Sequence, residues 1–269
     1  MRTQRSFVRC GVLAATIALV SGSVSAQNRG GGPPGRIGGP PGAPPSPKAA
    51  ALADLTGTWV SLITEDWRYR MFTPPKGDYT SVPLNGAGRK VAEAWDPAKD
   101  EAAGEQCRAY GAAGIMRLPT RLRISWQDDT TLKIEADAGT QTRLLHFGPS
   151  HENHENGQDW QGLSTASWEY PRAIIAGRGA AGPPSGGALQ VVTTRMRPGY
   201  LRRNGVPYSA NAVMTEYFVR LDVPDGDSLL VVTAEIVDPE YLATPYWTST
   251  QFKRQTDAAG WNTTPCAAR

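Results

Sequence analysis

The chain has 269 residues, with 28 Lys and Arg against 25 Asp and Glu and a formal net charge of +3 at pH 7. Three of the arginines lie in the first 26 residues, and removing them leaves 25 basic against 25 acidic residues. A balanced charge, with no Lys/Arg-rich cluster interleaved with aromatic residues, argues against a nucleic-acid partner.

The amino terminus has the pattern of a secretory signal peptide. A basic start, residues 2–9, precedes an apolar run over residues 10–20 and a small-residue site that ends at Ala26. The run is shorter than the roughly 20 apolar residues that a membrane-spanning helix needs. We therefore predict that residues 1–26 are cleaved and that the mature protein is periplasmic or secreted, with no stable membrane anchor.

Residues 27–52 are rich in Gly and Pro and contain few apolar side chains. Such a composition is typical of a disordered, extended linker, because there is little apolar surface to bury. The remaining residues, 53–269, suffice for a single large β domain.

Period-two alternation of apolar and polar residues predicts antiparallel strands in this domain. The alternation is clear in residues 121–126, 131–136 and 140–147, which turn-forming residues separate, as in a three-strand meander. Four further runs have the β-branched and aromatic composition of strands: 189–196, 212–223, 229–237 and 247–254. The predicted fold class is therefore mostly β.

Helix signals are confined to residues 85–110. Asn85 can cap a helix over residues 86–95, and Pro97 suits the first turn of a second helix that extends to Tyr110. We expect a short helical insertion here.

Two cysteines, Cys107 and Cys266, remain once Cys10 leaves with the signal peptide. In an oxidising compartment such a pair indicates one disulfide. It would tie the carboxyl terminus to the middle of the chain and close a long loop.

The segment Leu55-Thr56-Gly57-Thr58-Trp59-Val60 resembles the Gly-x-Trp start of the first strand in lipocalin-like (calycin) barrels. The resemblance implies a meander that closes into a barrel of roughly eight or more strands. It also implies that Gly57 packs closely at the barrel floor and that Trp59 plugs that end. Segments 64–68, 73–79, 195–200 and 237–241 resemble parts of uncharacterised exported bacterial proteins, a likeness that implies no activity.

Ionisable residues on otherwise apolar strand faces are the candidates for catalysis: Glu216, Glu235 and Arg195. A carboxylate that faces an apolar lumen is harder to ionise and can act as an acid or base. Whether Glu216 and Glu235 share a face depends on the register of the hairpin between them. The alternative is that each faces solvent or forms a structural ion pair.

Aromatic residues on or beside the strands, such as Trp126 and Tyr217, could line a ligand pocket, although aromatic residues more often form core. Trp67, Arg68 and Arg70 follow the first strand, near an expected barrel mouth. There they could hold an anionic amphiphile by charge and stacking.

The three histidines, His146, His151 and His154, lie near one another in the sequence and could bind Zn²⁺ or Cu²⁺ together with a carboxylate. The polar, Gly-containing loop does not pre-organise ligands, so solvated loop histidines are the better interpretation. The sequence contains no Cys-x-x-Cys pair, nucleophile elbow or phosphate-binding Gly loop. We expect neither a metal nor a cofactor.

The leading hypothesis is an exported lipocalin-like protein that binds a small apolar or amphipathic ligand in a barrel lumen. The alternatives are a cofactor-independent isomerase, hydratase or lyase that uses a lumen carboxylate, and an envelope interaction module. A hydrophobic lumen favours binding, and two close carboxylates or a Glu–Arg pair at a pocket bottom favour catalysis. A filled barrel with an exposed apolar patch favours interaction.

Overall fold

Nine strands close into a barrel in the residues that the structure, a computed structural model, describes: 43–148, 159–170, 187–224 and 226–269. The chain from Pro44 to Arg269 is one unit. The barrel strands are β1 (Gly57–Leu62), β2 (Arg121–Trp126), β3 (Thr131–Ala136), β4 (Gln141–Phe147), β5 (Leu163–Glu169), β6 (Ala188–Thr194), β9 (Val213–Asp222), β10 (Ser228–Val237) and β11 (Tyr246–Gln255). A separate hairpin consists of β7 (Gly199–Arg202) and β8 (Val206–Tyr208).

The strands follow the order β1-β11-β10-β9-β6-β5-β4-β3-β2 around the barrel, and β2 pairs with β1 to close it. Within the described ranges every barrel pair is antiparallel except β4 with β5, where Leu145 lies opposite Ser164. β5 begins alongside β4 and runs in the same direction. The prediction of a mostly β barrel is confirmed. The structure differs from the expected antiparallel meander in having one parallel strand pair and an inserted hairpin.

Burial alternates along the long strands, as expected when one face packs on a core and the other meets solvent. In β10 the alternate positions from Ser228 to Ile236 are buried, and the positions between them are half-exposed. β9 pairs with β10 so that Glu216 lies opposite Ala234. Glu216 therefore faces the barrel interior.

Four short helices lie between β1 and β2: α1 (Trp67–Met71), α2 (Gly86–Glu93), α3 (Pro97–Ala102) and α4 (Ala112–Ile115). The Asn85 side chain caps α2 by accepting from the Gly88 amide at 2.9 Å, and Asp96 caps α3 by accepting from Ala98. These two helices and a 3-10 turn at Arg108–Tyr110 confirm the predicted helical insertion. Neither α1 nor α4 has a side-chain cap, so no sequence signal marks where they begin.

The helical cap, which we define as residues 63–120, covers the upper end of the barrel, where β1 ends and β2 begins. Ile115 and Met116, at the end of α4, share one buried cluster with the strand residues Leu122 and Ile134. The β7–β8 hairpin packs against α2, α4 and the 3-10 turn. No helix in the described ranges is long and apolar enough to cross a membrane.

The Gly-x-Trp segment lies at the lower end of the barrel. Trp59 is fully buried and donates from Nε1 to the Leu55 carbonyl at 2.9 Å. Gly57 has a φ of 120°, and a Cβ at this position would lie 3.2 Å from the Arg254 guanidinium. The backbone conformation therefore requires glycine, and the Arg254 guanidinium packs close against it.

Residues just before this segment contact the barrel. Trp168 Nε1 donates to the Pro47 carbonyl at 3.0 Å, and the Lys48 amide donates to the Asp129 carbonyl at 3.2 Å. Residues 44–52, which the composition assigns to a linker, thus lie against the lower end of the barrel. Residues 1–42, including the predicted signal peptide, lie outside the described residues.

The predicted disulfide is confirmed between Cys107 and Cys266, at a sequence separation of 159. Cys107 directly precedes the 3-10 turn of the helical cap, and Cys266 lies in the tail after β11. The tail is also held at Thr264, whose amide donates to the Asp137 carbonyl at 3.0 Å. The bond therefore fastens the helical cap to the carboxyl-terminal tail.

Candidate functional site

Side chains fill most of the barrel interior. Apolar side chains in its middle and lower part are at most 1% exposed, among them Leu132, Leu145, Leu189, Leu230 and Phe252. A ligand pocket usually has a volume of about 300–1,000 Å³ and would leave some of the side chains around it exposed. Because these side chains are covered, this part of the lumen is packed as a core.

A polar cluster interrupts the apolar packing in the upper half of the lumen. Arg143 Nη2 donates to Glu216 Oε2 at 2.5 Å and to Thr193 Oγ1 at 2.6 Å. Arg143 Nε donates to Ser164 Oγ at 3.0 Å, and the Ser164 and Thr193 hydroxyls are 2.9 Å apart. We call these four residues the lumen cluster.

Strand register assembles the lumen cluster. Ser164 on β5 lies opposite Thr193 on β6, and Glu216 on β9 lies opposite Val191, the next inward position of β6. Arg143 reaches them from β4, the parallel neighbour of β5. The four side chains come from four strands, so their proximity depends on long-range pairing alone.

The ion pair of the lumen cluster is almost completely shielded from water. The Arg143 side chain is 4% exposed and that of Glu216 is 1% exposed. Desolvation of such charges costs several kcal/mol per ion, so each needs a close partner and further hydrogen bonds. Glu216 supplies the partner, and the two hydroxyls satisfy two of the three guanidinium nitrogens.

A cavity lies beside the lumen cluster, beneath the helical cap. Five apolar and three polar side chains form its walls. The apolar ones are Ile115, Met116, Leu122, Ile134 and Ala136, and the polar ones are Gln141, Arg143 and Gln161. The cavity offers only about 10 Å³ of space to the centre of a water molecule. In this conformation the cavity therefore has room for about one water.

Two polar atoms on residues bordering this cavity have no hydrogen-bond partner: Arg143 Nη1 and Gln161 Oε1. The amide nitrogen of Gln161 is occupied, because it donates to the Tyr110 carbonyl at 2.9 Å and to Gln141 Oε1 at 3.0 Å. A donor and an acceptor are thus left over at the same apolar cavity. A buried polar atom without a partner calls for an explanation, such as a bound water or another bound molecule.

The disulfide lies close to the cavity. Gln141, which borders the cavity, donates from Nε2 to the Gly139 carbonyl at 2.7 Å, and the same nitrogen is 3.6 Å from Cys266 Sγ. Gly139 has a φ of 72° and no room for a Cβ, which would lie 2.4 Å from the Tyr110 ring. The cap, the β3–β4 connection and the tail therefore meet tightly over the cavity.

The structure separates the three catalytic candidates. Glu216 faces the lumen, whereas Glu235 lies opposite Thr215 in the strand register and faces outward from β10. Arg195 follows the end of β6, adopts a φ of 55° and is exposed, so it does not continue the inward face of that strand. The charged partner of Glu216 is Arg143, which was not among the predicted site residues.

The ligand-binding candidates fall in three separate places. Trp67 and Arg68 lie on α1 and are exposed, whereas Arg70 on the same helix is buried and pairs with Glu65. Burial lowers the pKa of the Arg70 guanidinium, with a further contribution from Arg117.

The other two candidates lie away from α1. Trp126 packs on Phe147 at the lower end of the barrel, with ring centroids 5.5 Å apart. Tyr217 is on the outer face of β9, where its hydroxyl accepts from Gln190 at 3.1 Å. Neither residue borders the cavity.

His146 is buried on β4, opposite Thr131 and Thr165 of the neighbouring strands. His151 and His154 lie outside the described residues. Within those residues, no group of three or more His, Cys, Asp or Glu side chains is placed to hold a metal ion.

A second buried polar network joins the β7–β8 hairpin to the cap. Tyr200 donates to Asp100 at 2.8 Å and accepts from Arg108 at 3.1 Å, and Arg108 also pairs with Asp100 at 3.0 Å. Burial raises the pKa of the Tyr200 hydroxyl to about 12. This network anchors the hairpin on α3 and the 3-10 turn, away from the cavity.

Part of the lumen cluster has a sequence signal. Arg143 shares the inward face of β4 with Leu145 and Phe147, the same pattern that identifies Glu216 on β9. Gln161 lies in the loop before β5 and has no such signal. In comparisons with known proteins, no family model, no curated protein and no solved structure matches this chain.

Proposed function

We propose that this protein is an exported barrel that binds a small, neutral, mainly apolar molecule in the cavity beneath the helical cap. One observation carries the proposal. Two residues that border the same apolar cavity each carry a buried polar atom without a partner, the donor Arg143 Nη1 and the acceptor Gln161 Oε1. The disulfide between Cys107 and Cys266 supports an oxidising compartment.

The chemistry of the cavity favours a ligand with one hydroxyl group. Glu216 already balances the charge of Arg143, so an anionic ligand would place a second negative charge near a buried carboxylate. A hydroxyl oxygen accepts from Arg143 Nη1 while its hydrogen donates to Gln161 Oε1. Apolar side chains form the rest of the walls and would cover a hydrocarbon body.

A ligand larger than water requires the cavity to expand. Met116 forms part of the wall at the end of α4 and has a flexible side chain that repacks readily. The walls also include Gln161, which lies in a loop and not in a strand. Expansion at these two residues leaves the strand pairing of the barrel intact.

Binding receives more support than lumen-carboxylate catalysis. Glu216 does not border the cavity, and its carboxylate accepts from Arg143. Glu235, the second carboxylate considered, faces outward. A substrate in the cavity would therefore contact the guanidinium and not a free acid or base.

Calorimetric titration with phenol, benzene and benzoate tests the proposal. The three probes share a six-membered aromatic ring. Phenol adds a hydroxyl group, benzoate adds a carboxylate, and benzene carries no polar group. We expect phenol to bind most tightly. Loss of one hydrogen bond in the variant Gln161→Leu should weaken phenol roughly five- to tenfold and leave benzene nearly unchanged.

The matched control is Gln190→Leu, which removes a glutamine on the outer wall of the barrel. Its phenol affinity should equal that of the unsubstituted protein. Circular dichroism establishes that both variants remain folded. Absence of binding by any probe, or equal phenol affinity in the two variants, would refute the cavity as the binding site.

A further inference from the structure

An exposed aromatic surface lies on the helical cap, on residues that do not border the cavity. We define the rim patch as Trp67, Met71 and Phe72, which are 61%, 48% and 62% exposed. The rings of Trp67 and Phe72 are in edge contact, with centroids 6.4 Å apart. Nine large hydrophobic side chains are exposed among the described residues, and three of the nine lie between positions 67 and 72.

Ion pairs made by two largely buried arginines hold the rim patch in its outward orientation. Arg70, on the same short helix, is 2% exposed, pairs with Glu65 and donates from Nε to the Arg117 carbonyl at 3.0 Å. Arg117 in turn pairs with Asp66 at 2.6 Å. Because the opposite side of α1 is anchored in this way, the aromatic side chains are presented on a fixed scaffold.

Among the ion pairs beside the rim patch, the most exposed side chain is a cation, Arg68. The Arg68 side chain is 63% exposed, whereas that of its partner Asp78 is only 13% exposed. The pairing with Asp78 brings the following loop back toward α1, and Lys76 in that loop is exposed. Glu65 and Asp66, the remaining carboxylates of this segment, are both engaged by arginines.

We propose that the rim patch binds the surface of a lipid bilayer that contains anionic lipids. Trp and Phe side chains insert at the level of the headgroups, where an aromatic ring gains apolar contact while the indole N–H stays hydrated. Arg68 and Lys76 meet the negative surface potential of such a bilayer. This activity is additional to ligand binding in the cavity and does not depend on it.

Cosedimentation with vesicles tests the proposal, using phosphatidylcholine alone and phosphatidylcholine mixed with phosphatidylglycerol. We expect binding to the mixed vesicles that weakens as salt is raised, because salt screens the attraction. The variant Trp67→Ala/Phe72→Ala should bind at least about tenfold more weakly. Trp247→Ala is the matched control, since Trp247 is 56% exposed on the barrel wall, and it should bind as the unsubstituted protein does.

A second pair of variants tests the charge. Arg68→Gln/Lys76→Gln should weaken binding to the mixed vesicles about tenfold or more, at roughly 1 kcal/mol per cation. The control Lys90→Gln/Lys99→Gln removes the same charge from exposed positions of α2 and α3 and should have little effect. All variants carry the same amino terminus, so any difference in binding arises from the substituted residues.

Three results would overturn the proposal. The first is no binding to the mixed vesicles, and the second is equal loss of binding in the test and control variants. The third is a concentration-dependent dimer in analytical ultracentrifugation that Trp67→Ala/Phe72→Ala abolishes, because a second copy of the chain would then cover the rim patch.

Discussion

The lumen cluster offers the sharpest test of how this barrel is stabilised. Replacement of Arg143 by Met leaves Glu216, whose side chain is 1% exposed, as a buried charge without a counterion. It also removes the donors to Ser164 and Thr193. Breaking a buried pair in this way typically costs about 3–5 kcal/mol of unfolding free energy.

The double variant Arg143→Met/Glu216→Leu separates the cost of an unpaired charge from the value of the pair. Apolar side chains of similar volume often replace a buried ion pair without loss, so the double variant should lie within about 1 kcal/mol of the unsubstituted protein. For a domain of this size, the loss in Arg143→Met corresponds to a decrease in Tm of about 6–20 °C. The double variant should recover most of that decrease.

Urea denaturation followed by tryptophan fluorescence, with the disulfide intact, measures these differences. The control is Lys133→Met, which breaks the pair between Lys133 and Glu135, whose side chains are 30% and 36% exposed. Its effect should be below about 1 kcal/mol. Two results would contradict a costly unpaired charge in the lumen. One is a loss below about 1 kcal/mol in Arg143→Met, and the other is a double variant as unstable as Arg143→Met.

Three further predictions concern the disulfide, the barrel floor and pH. Replacing both Cys107 and Cys266 by Ala should lower the unfolding free energy by up to about 5 kcal/mol, measured by urea denaturation, because the sequence separation is 159; no change would contradict this. Gly57→Ala should lower the unfolding free energy by about 1–3 kcal/mol. The loss should exceed that of Gly104→Ala, because Gly104 also has a positive φ but no atom within 4 Å of an added Cβ. Equal losses would exclude a packing contribution at Gly57. Because the Tyr200 pKa is raised from 10.0 to about 12, its contribution to stability is complete below pH 10 and is lost as pH rises toward 12, by about 3 kcal/mol. Denaturation between pH 9 and 12 should show a shallower decline for Tyr200→Phe, and identical slopes would argue against this titration.

The candidate site was only partly predictable, and Glu216 shows why. Its alternation with apolar neighbours on β9 correctly places it on an inward face, but Glu235 has a similar pattern and faces outward. The two differ by one position in the β9–β10 register. A shift of one residue reverses which face a side chain occupies, and the pattern of a single strand does not encode the register.

Local chemistry accounts for what the sequence determined by itself. Asn85 caps a helix because its side chain reaches an amide three residues on, and Gly57 takes a backbone conformation closed to other residues. Alternation together with β-branched and aromatic composition identified most barrel strands, and only one cysteine pair remained for the disulfide. Tertiary structure alone decided the parallel β4–β5 pair, the meeting of Arg143 with Glu216, and the exposure of Trp67. These features join residues far apart in the chain, and their energies arise only when the barrel closes, excludes water from its interior and fixes which surfaces stay outside.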